Sequence, residues 1–413
     1  MTALTGGCSS GEGRQIVVLG PWTGPEGDAF EQVLDDLSEG SGHHYVYKGT
    51  RSLRETLVAQ LAADAPPDVA ILNSIGELTE YATQNKLKPL DPSTAERAYQ
   101  PWSPGLMVEG RRRTFWVPLK VDLKSMVWSR AGASGAAPRW CVGMAAQATS
   151  GWPGTDWVED ILLHQAGPET YARWATGQLN WAKSTEVKRA FTTWAGLLKE
   201  GGLGAAARDR SLTMSFWGTP DPRHPDGDPR GLLGGSLPGC THEHQGSFVR
   251  YVYAPRGDIR LEPAARFLKG SPAYSKAFEV SGDMAAVLTD APGAQELVKR
   301  LTSEEGRAQW SRKAKAHLRP FFPDRSDPRP DDNAAAQEIA SYLTDERNKL
   351  CFDASDVMPP VLRDAFYRAV LEYFRSPRET TLRKLLGQLE TVRTEIAGTR
   401  TPEGIRPPTD ICR

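Results

Sequence analysis

The side chains best suited to chemistry in this sequence are aromatic rings lying close to carboxylates. Trp22 stands just before Thr23, Gly24, Pro25 and Glu26, where a short apolar run ends. Trp152, Asp156 and Trp157 form a second group, with Glu159 and Asp160 beyond it. Glu243 lies within His242-Glu243-His244-Gln245, and Lys120 and Asp122 sit two apart on one extended segment. A flat ring can stack on the C–H face of a sugar while carboxylates and amides bridge its hydroxyls. Each group also has a plainer reading. Trp22 either turns its ring to a crevice or caps the lobe surface. Thr155 or Asp156 either meets a ligand or caps a helix begun at Pro153. Lys120 and Asp122 line a cleft or form a structural ion pair.

Other chemistries find little support. His242 and His244 lack an evident third ligand, so no metal site is expected. Asp353 and Asp356 form a carboxylate pair, but glycoside cleavage needs particular separations across a bound sugar, and the pair reads as structural. Gly202 to Ala207 mimics a dinucleotide loop yet follows a helical pattern rather than a strand. No P-loop or His-Glu-x-x-His motif occurs. Binding without turnover, and without a cofactor, is the expectation.

The elements that position these residues begin with Ile16 to Leu19, a buried strand by pattern. Phe30, Val33, Leu34 and Leu37 then follow helical spacing. A second strand (43–48), a second helix (53–63) and a third strand (68–72) complete an alternating α/β unit. Ligands of such sheets sit beyond the carboxyl ends of the strands, here Gly20 to Glu26 and Asn73 to Glu77. Strands are expected at 116–120 and 125–128, and helices over most of 156–200, 283–316, 333–350 and 360–398, with a break near Ser376-Pro377. Gly282-Asp283 then marks a helix start. The Pro/Gly/Asp-rich stretch 218–239 and the segment 323–330 read as exposed connections.

A chain of 413 residues exceeds one ordinary core, which favours two lobes. Fifty basic and 51 acidic residues leave no basic field for nucleic acid or an anionic membrane. The run Arg111-Arg112-Arg113, beside Gly110, reads as a solvated turn. No apolar stretch of about 18 residues occurs, so no membrane span is expected. The five cysteines lack the tight spacing of a zinc or iron–sulfur site.

Six segments carry a resemblance. They are Gly20-Pro21-Trp22-Thr23-Gly24-Pro25-Glu26, Pro66-Pro67-Asp68-Val69-Ala70, Lys86-Leu87-Lys88-Pro89-Leu90-Asp91, Lys120 to Ser125, Ser150 to Asp160, and Phe352 to Pro359. In this order they resemble the family 1 extracellular solute-binding proteins of ABC importers, the group that contains maltose-binding protein. The likeness covers most of residues 14–360. It implies a type II periplasmic-binding-protein fold, two α/β lobes with mixed sheets flanked by helices and a hinge between them. One lobe would comprise 14–120 plus 280–312 and the other 121–279 plus 313–413.

The implied function is capture of a carbohydrate-like molecule and its delivery to a membrane permease by a monomer. Trp22, Thr23, Glu26, Asn73 and Glu77 would line one side. Trp152, Asp156, Trp157 and Glu243 would line the other, with Lys120, Asp122 and Asp283 where the lobes meet. The alternative is an enzyme or accessory protein on the same fold, no longer serving a transporter. One departure bears on this: where family members carry a longer stretch with a Thr-Trp-Asp motif, this chain has only Arg130 to Pro138.

The resemblance also implies a Cys141–Cys240 bridge. Cys351–Cys412 follows by exclusion, and because it would tie the Pro-rich tail to the body. Leu4-Thr5-Gly6-Gly7-Cys8 resembles a bacterial lipobox, with residues 9–13 as a flexible tether. Only seven residues precede Cys8, which reads as a truncated signal peptide. Lipid anchoring or secretion at the outer face of the cytoplasmic membrane is expected, with a cytoplasmic protein as the alternative.

Overall fold

A computed structural model describes residues 14–413 except 134–136, 221–228, 236, 238, 254–256, 270–271, 325–332, 399–404 and 407. The lipobox-like Cys8 and the tether lie outside the described residues.

The first unit forms as the sequence pattern requires. The strands β1 (Arg14–Gly20), β2 (His43–Gly49) and β3 (Val69–Leu72) pair in parallel, β1 lying between the other two. Helix α1 (Pro25–Ser38) starts with Pro25, whose missing N–H costs nothing at that position. It buries Phe30, Val33, Leu34 and Leu37 on the sheet. Helices α2 (Leu53–Ala62) and α3 (Ile75–Thr83) follow, and the Ser74 hydroxyl caps α3 by accepting from the Glu77 amide at 3.2 Å. A short helix, α4 (Pro92–Ala95), precedes the hairpin of β4 (Leu106–Val108) and β5 (Arg111–Arg113). The three arginines are exposed strand residues there.

The centre of the molecule is a ribbon of β6 (Trp116–Leu123) and β10 (Ala277–Val287), paired antiparallel. One edge of β10 also pairs with β3 and, further along, with β11 (Lys349–Phe352). Here the helical expectation for 283–316 fails in its first part. Asp283 is not at a helix start but in mid-strand, beside a register irregularity. Met284-Ala285-Ala286 looks helical in isolation, but pairing on both edges of β10 and burial of both faces override that propensity. The tail of 333–350 likewise becomes strand.

Strand β7 (Met126–Arg130) leads to a small antiparallel sheet with β8 (His242–His244) and β9 (Ile259–Pro263). The helices around it are α5 (Trp152–Ala175), kinked at Gly167-Pro168, α6 (Thr185–Glu200), α7 (Ala205–Thr213) and α8 (Arg250–Tyr253). After β10 come α9 (Pro292–Leu301), α10 (Glu304–Lys313) and α11 (Ala334–Thr344). The chain closes with α12 (Ala354–Val357), α13 (Pro360–Arg375), α14 (Glu379–Gly398) and β12 (Ile405–Arg406), which pairs with β4. The stretch 218–239 is not wholly a surface loop, because Leu232 and Leu233 are buried.

Two apolar cores result. The smaller packs Trp22, Phe30, Val33, Ile71, Leu119, Leu297 and Trp310 between one sheet face and α1, α9 and α10. The larger extends from Leu57 and Leu78 through Trp128 to Trp174, Trp181, Trp194 and Phe366. The α3 and α12 backbones touch at Gly76, where a Cβ would lie 2.0 Å from the Met358 carbonyl oxygen, so only glycine fits. Both expected disulfides are present, Cys141–Cys240 and Cys351–Cys412, with Cα atoms 5.2 and 4.0 Å apart.

Candidate functional site

Trp22 does not turn its ring to a crevice. It is 3% exposed and packs 4.8 Å from Phe30 and 5.0 Å from Trp310, while its indole N–H donates to Asp283 Oδ2 at 3.0 Å. The turn after β1 folds the ring back under α1 into its own core. That placement removes it as a stacking surface. Four other expected contact residues are also buried. Glu77 pairs with Arg363, and Asp156 with Lys124 at 2.8 Å. Trp157 packs 4.7 Å from Trp140 and stacks on His244 at 4.5 Å. Glu243 sits at 1% exposure under the Tyr253 hydroxyl, which donates to it.

Seven expected residues keep access to solvent: Thr23, Glu26, Asn73, Lys120, Asp122, Asp283 and Trp152. Three of them converge where β1 ends and the ribbon crosses. The Lys120 ammonium pairs with Glu26 and lies 3.4 Å from Asp283. Burial works against its charge, but the Glu26 and Asp283 carboxylates outweigh that and hold its pKa above the ordinary lysine value. Asp122, on the same face of β6, accepts from the Ser247 hydroxyl at 2.6 Å. Burial raises its pKa, with Lys120 and Ser247 opposing. Asn73, exposed at the carboxyl end of β3, lies 3.5 Å from Asp356 Oδ2.

Next to Ser247 begins a row of half-buried rings. Phe248 lies 5.9 Å from Trp152 and 5.9 Å from Trp217. Phe216 sits 4.8 Å from both Trp152 and Trp217, and Tyr251 is 6.4 Å from Trp217. Lys124 reaches over Trp152 at 4.9 Å and over Phe248 at 5.9 Å. All five rings retain partial exposure, unlike the core tryptophans. Sequence reasoning found Trp152 and missed the other four. Trp217 and Phe216 open the Pro/Gly-rich stretch, and their only sequence signal was two adjacent aromatics beside a loop. Two surface depressions among the described residues lie elsewhere, lined by residues of α6, α7 and α13 with Leu203, Gly204 and Pro377.

Beneath the row, Lys124 also serves an acidic cluster. It lies 2.8 Å from Asp156 and 3.0 Å from Asp353. Asp353 Oδ1 accepts from the Ser355 hydroxyl and the Asp356 amide, and Glu159 Oε2 from the Ser355 amide. Glu279, on β10, completes the group; burial and then the neighbouring carboxylates raise its pKa well above the ordinary range. Asp160 holds a separate arrangement, accepting from Ser125 and facing His164 at 3.1 Å and His244 at 2.9 Å. Burial opposes its charge, but the two histidines hold its pKa below the ordinary range.

The Glu243 carboxyl gives a measurable pH effect. Burial pushes it up to about 8 from 4.5, with Tyr253 and Gln245 opposing. A raised carboxyl contributes stability fully present below pH 4.5 and lost as the pH climbs through 8. Glu243→Gln is therefore expected to flatten the fall in melting temperature between about pH 5 and 8, removing up to about 1.4 kcal/mol per pH unit. Parallel wild-type and variant curves would count against it.

No family model matches the chain. It is 26% identical over 403 residues to the alpha-glucosides-binding periplasmic protein AglE of Rhizobium meliloti, covering 88% of this chain and 84% of that one. The chain is a homologue of the periplasmic solute-binding proteins. The osmoprotective compounds-binding protein GgtB of Synechocystis is 25% identical over 402 residues, covering 87% of this chain and 88% of that one. Among solved structures, the bacterial solute receptor AcbH superimposes with a TM-score of 0.63 at 13% identity, covering 94% of this chain and 99% of its own. That likeness establishes the two-lobed solute-binding fold. These relatives are binding proteins, and no described helix of this homologue is long and apolar enough to cross a membrane.

Proposed function

We propose that the protein is the substrate receptor of an ABC import system, binding a sugar or sugar-like solute between two lobes and presenting it unaltered to a permease. The observation that carries this reading is the half-buried row Trp152, Phe216, Trp217, Phe248 and Tyr251, adjoining the charged group Glu26, Lys120, Asp122 and Asp283. The rings supply C–H stacking and the carboxylates supply hydroxyl acceptors, the pairing that carbohydrate recognition uses. Thr23 and Asn73, at the carboxyl ends of β1 and β3, border the same region of the sheet. AglE, AcbH and GgtB, named for alpha-glucosides, b-D-galactopyranose and osmoprotective compounds, favour this ligand class. A lobe division near 120 and 280, and lipid anchoring through Cys8, belong to the same proposal.

Calorimetric titration with a panel of mono- and oligosaccharides tests it. One sugar is expected to bind, and to be recovered chemically intact. Trp152→Ala then weakens that binding by about 2 kcal/mol, the size of an aromatic hot spot, or roughly 30-fold. Unchanged affinity in a folded variant, or recovery of a cleaved sugar, would contradict the reading.

A further inference from the structure

We propose that Asp156, Glu279 and Asp353 form a binding site for a hard divalent cation of calcium size. One carboxylate oxygen from each residue lies within 4.8 Å of the others. That bound admits calcium, whose opposite ligands lie about 4.6–5.2 Å apart, and also magnesium, at about 4.2 Å or less. Calcium is favoured because magnesium gives up its waters reluctantly and avoids cages made of protein oxygens alone. The donors come from three elements, α5, β10 and the turn between β11 and α12, so the trio is held by the fold rather than by one flexible loop.

A second observation points into this space. Glu279 is fully buried, and neither of its side-chain oxygens has a hydrogen-bond partner among the described residues. Asp156 Oδ1 and Glu159 Oε1 are in the same condition. A buried carboxylate oxygen without a donor is costly, because it has left water and gained nothing in return. Five carboxylates gather here (Asp156, Glu159, Glu279, Asp353 and Asp356) against the cations Lys124 and Arg363. Lys124 reaches the Oδ2 atoms of Asp156 and Asp353 and leaves Asp156 Oδ1 without a partner among the described residues. With no ion present, burial and mutual repulsion raise the pKa values of Glu159, Glu279 and Asp356 well above the ordinary range. A divalent ion would offset the same charge in place of protons. All the donors are hard oxygens, which favours calcium, magnesium or manganese over zinc or copper. The positions 156, 279 and 353 have no spacing signature, and for that reason the sequence concealed them.

The test uses the full-length protein stripped with EDTA, then titrated with calcium chloride while metal content and melting temperature are followed. One equivalent of calcium per chain is expected, with a rise in melting temperature and several-fold weaker binding of magnesium. Glu279→Gln keeps the shape of the side chain and should fold, yet lose both calcium uptake and the calcium-dependent rise. Asp156→Asn reads the same site from α5 and takes over the test should the first variant fail to fold. The proposal is overturned if wild-type protein binds neither calcium, magnesium nor manganese stoichiometrically, which would leave shared protons to neutralise the cluster. It is equally overturned if a folded Glu279→Gln variant takes up calcium as the wild type does.

Discussion

Trp22→Ala is expected to lower the stability of the protein by about 3–5 kcal/mol, the range for deleting a buried tryptophan. It should weaken sugar affinity per folded molecule less than Trp152→Ala does, through the lost bond to Asp283 alone. The ring fills the space between Phe30, Tyr47 and Trp310, and α1 and α10 meet over it. Its removal opens a cavity that the surrounding strands cannot close, because β1 is fixed on both sides by β2 and β3. The indole N–H adds a bond to the Asp283 carboxylate. Trp22→Phe separates these effects: the ring is largely retained and only the bond is lost, about 1.5–3 kcal/mol for a charged acceptor. Urea unfolding measures both losses, and calorimetry with the bound sugar measures the affinity. A Trp22→Ala protein of wild-type stability but weakened binding would return the ring to the ligand site.

Arg363→Met is expected to cost a similar 3–5 kcal/mol, since it strands a buried carboxylate. Arg363 pairs with Glu77, lies 3.9 Å from Asp356, and is itself only 5% exposed in its side chain. Burial opposes its charge, while Tyr367 and Glu77 hold the guanidinium well above the ordinary value. Arg54, 3.4 Å from Glu77 and partly exposed, offers incomplete compensation. The double variant Glu77→Gln/Arg363→Met removes both charges and should recover much of the loss. Strict additivity of the two single changes would mean that the pair is not coupled.

Much of the architecture was legible because its signals are local. Helical spacing at Phe30, Val33, Leu34 and Leu37 placed α1, and Ser376-Pro377 marked the break between α13 and α14. What failed depends on partners far away in sequence. Strand β10 was taken for the start of a helix because its ladder contacts come from residues 69–72, 116–123 and 349–352. The candidate site residues divide in the same way. Glu26, Lys120 and Asp283 come together, but no pattern announced that Lys120 would face both carboxylates. Trp22, Trp157 and Glu243 were chosen by residue type, by place in the sequence and by the resemblance, none of which distinguishes a ring or carboxylate at a surface from one inside a core.

The ribbon of β6 and β10 runs between the two cores, with Val117 and Leu119 packed into one and Val121 and Leu123 into the other. A ladder with seven paired positions resists sliding, because the strands would have to break their bonds together; it yields far more readily to torsion. The irregularity at Asp283/Met284 adds local twist at the middle of that ladder. Relative movement of the two bodies should therefore be a rotation about the ribbon, with little translation across it. Lys120 and Asp283 lie on that axis and keep their separation at every angle, like the pin of a pair of tongs. Arg54 and Asp364, joined at 2.9 Å, stand off the ribbon on α2 and α13, whose Leu57 and Phe366 share the larger core, so the same rotation carries them together.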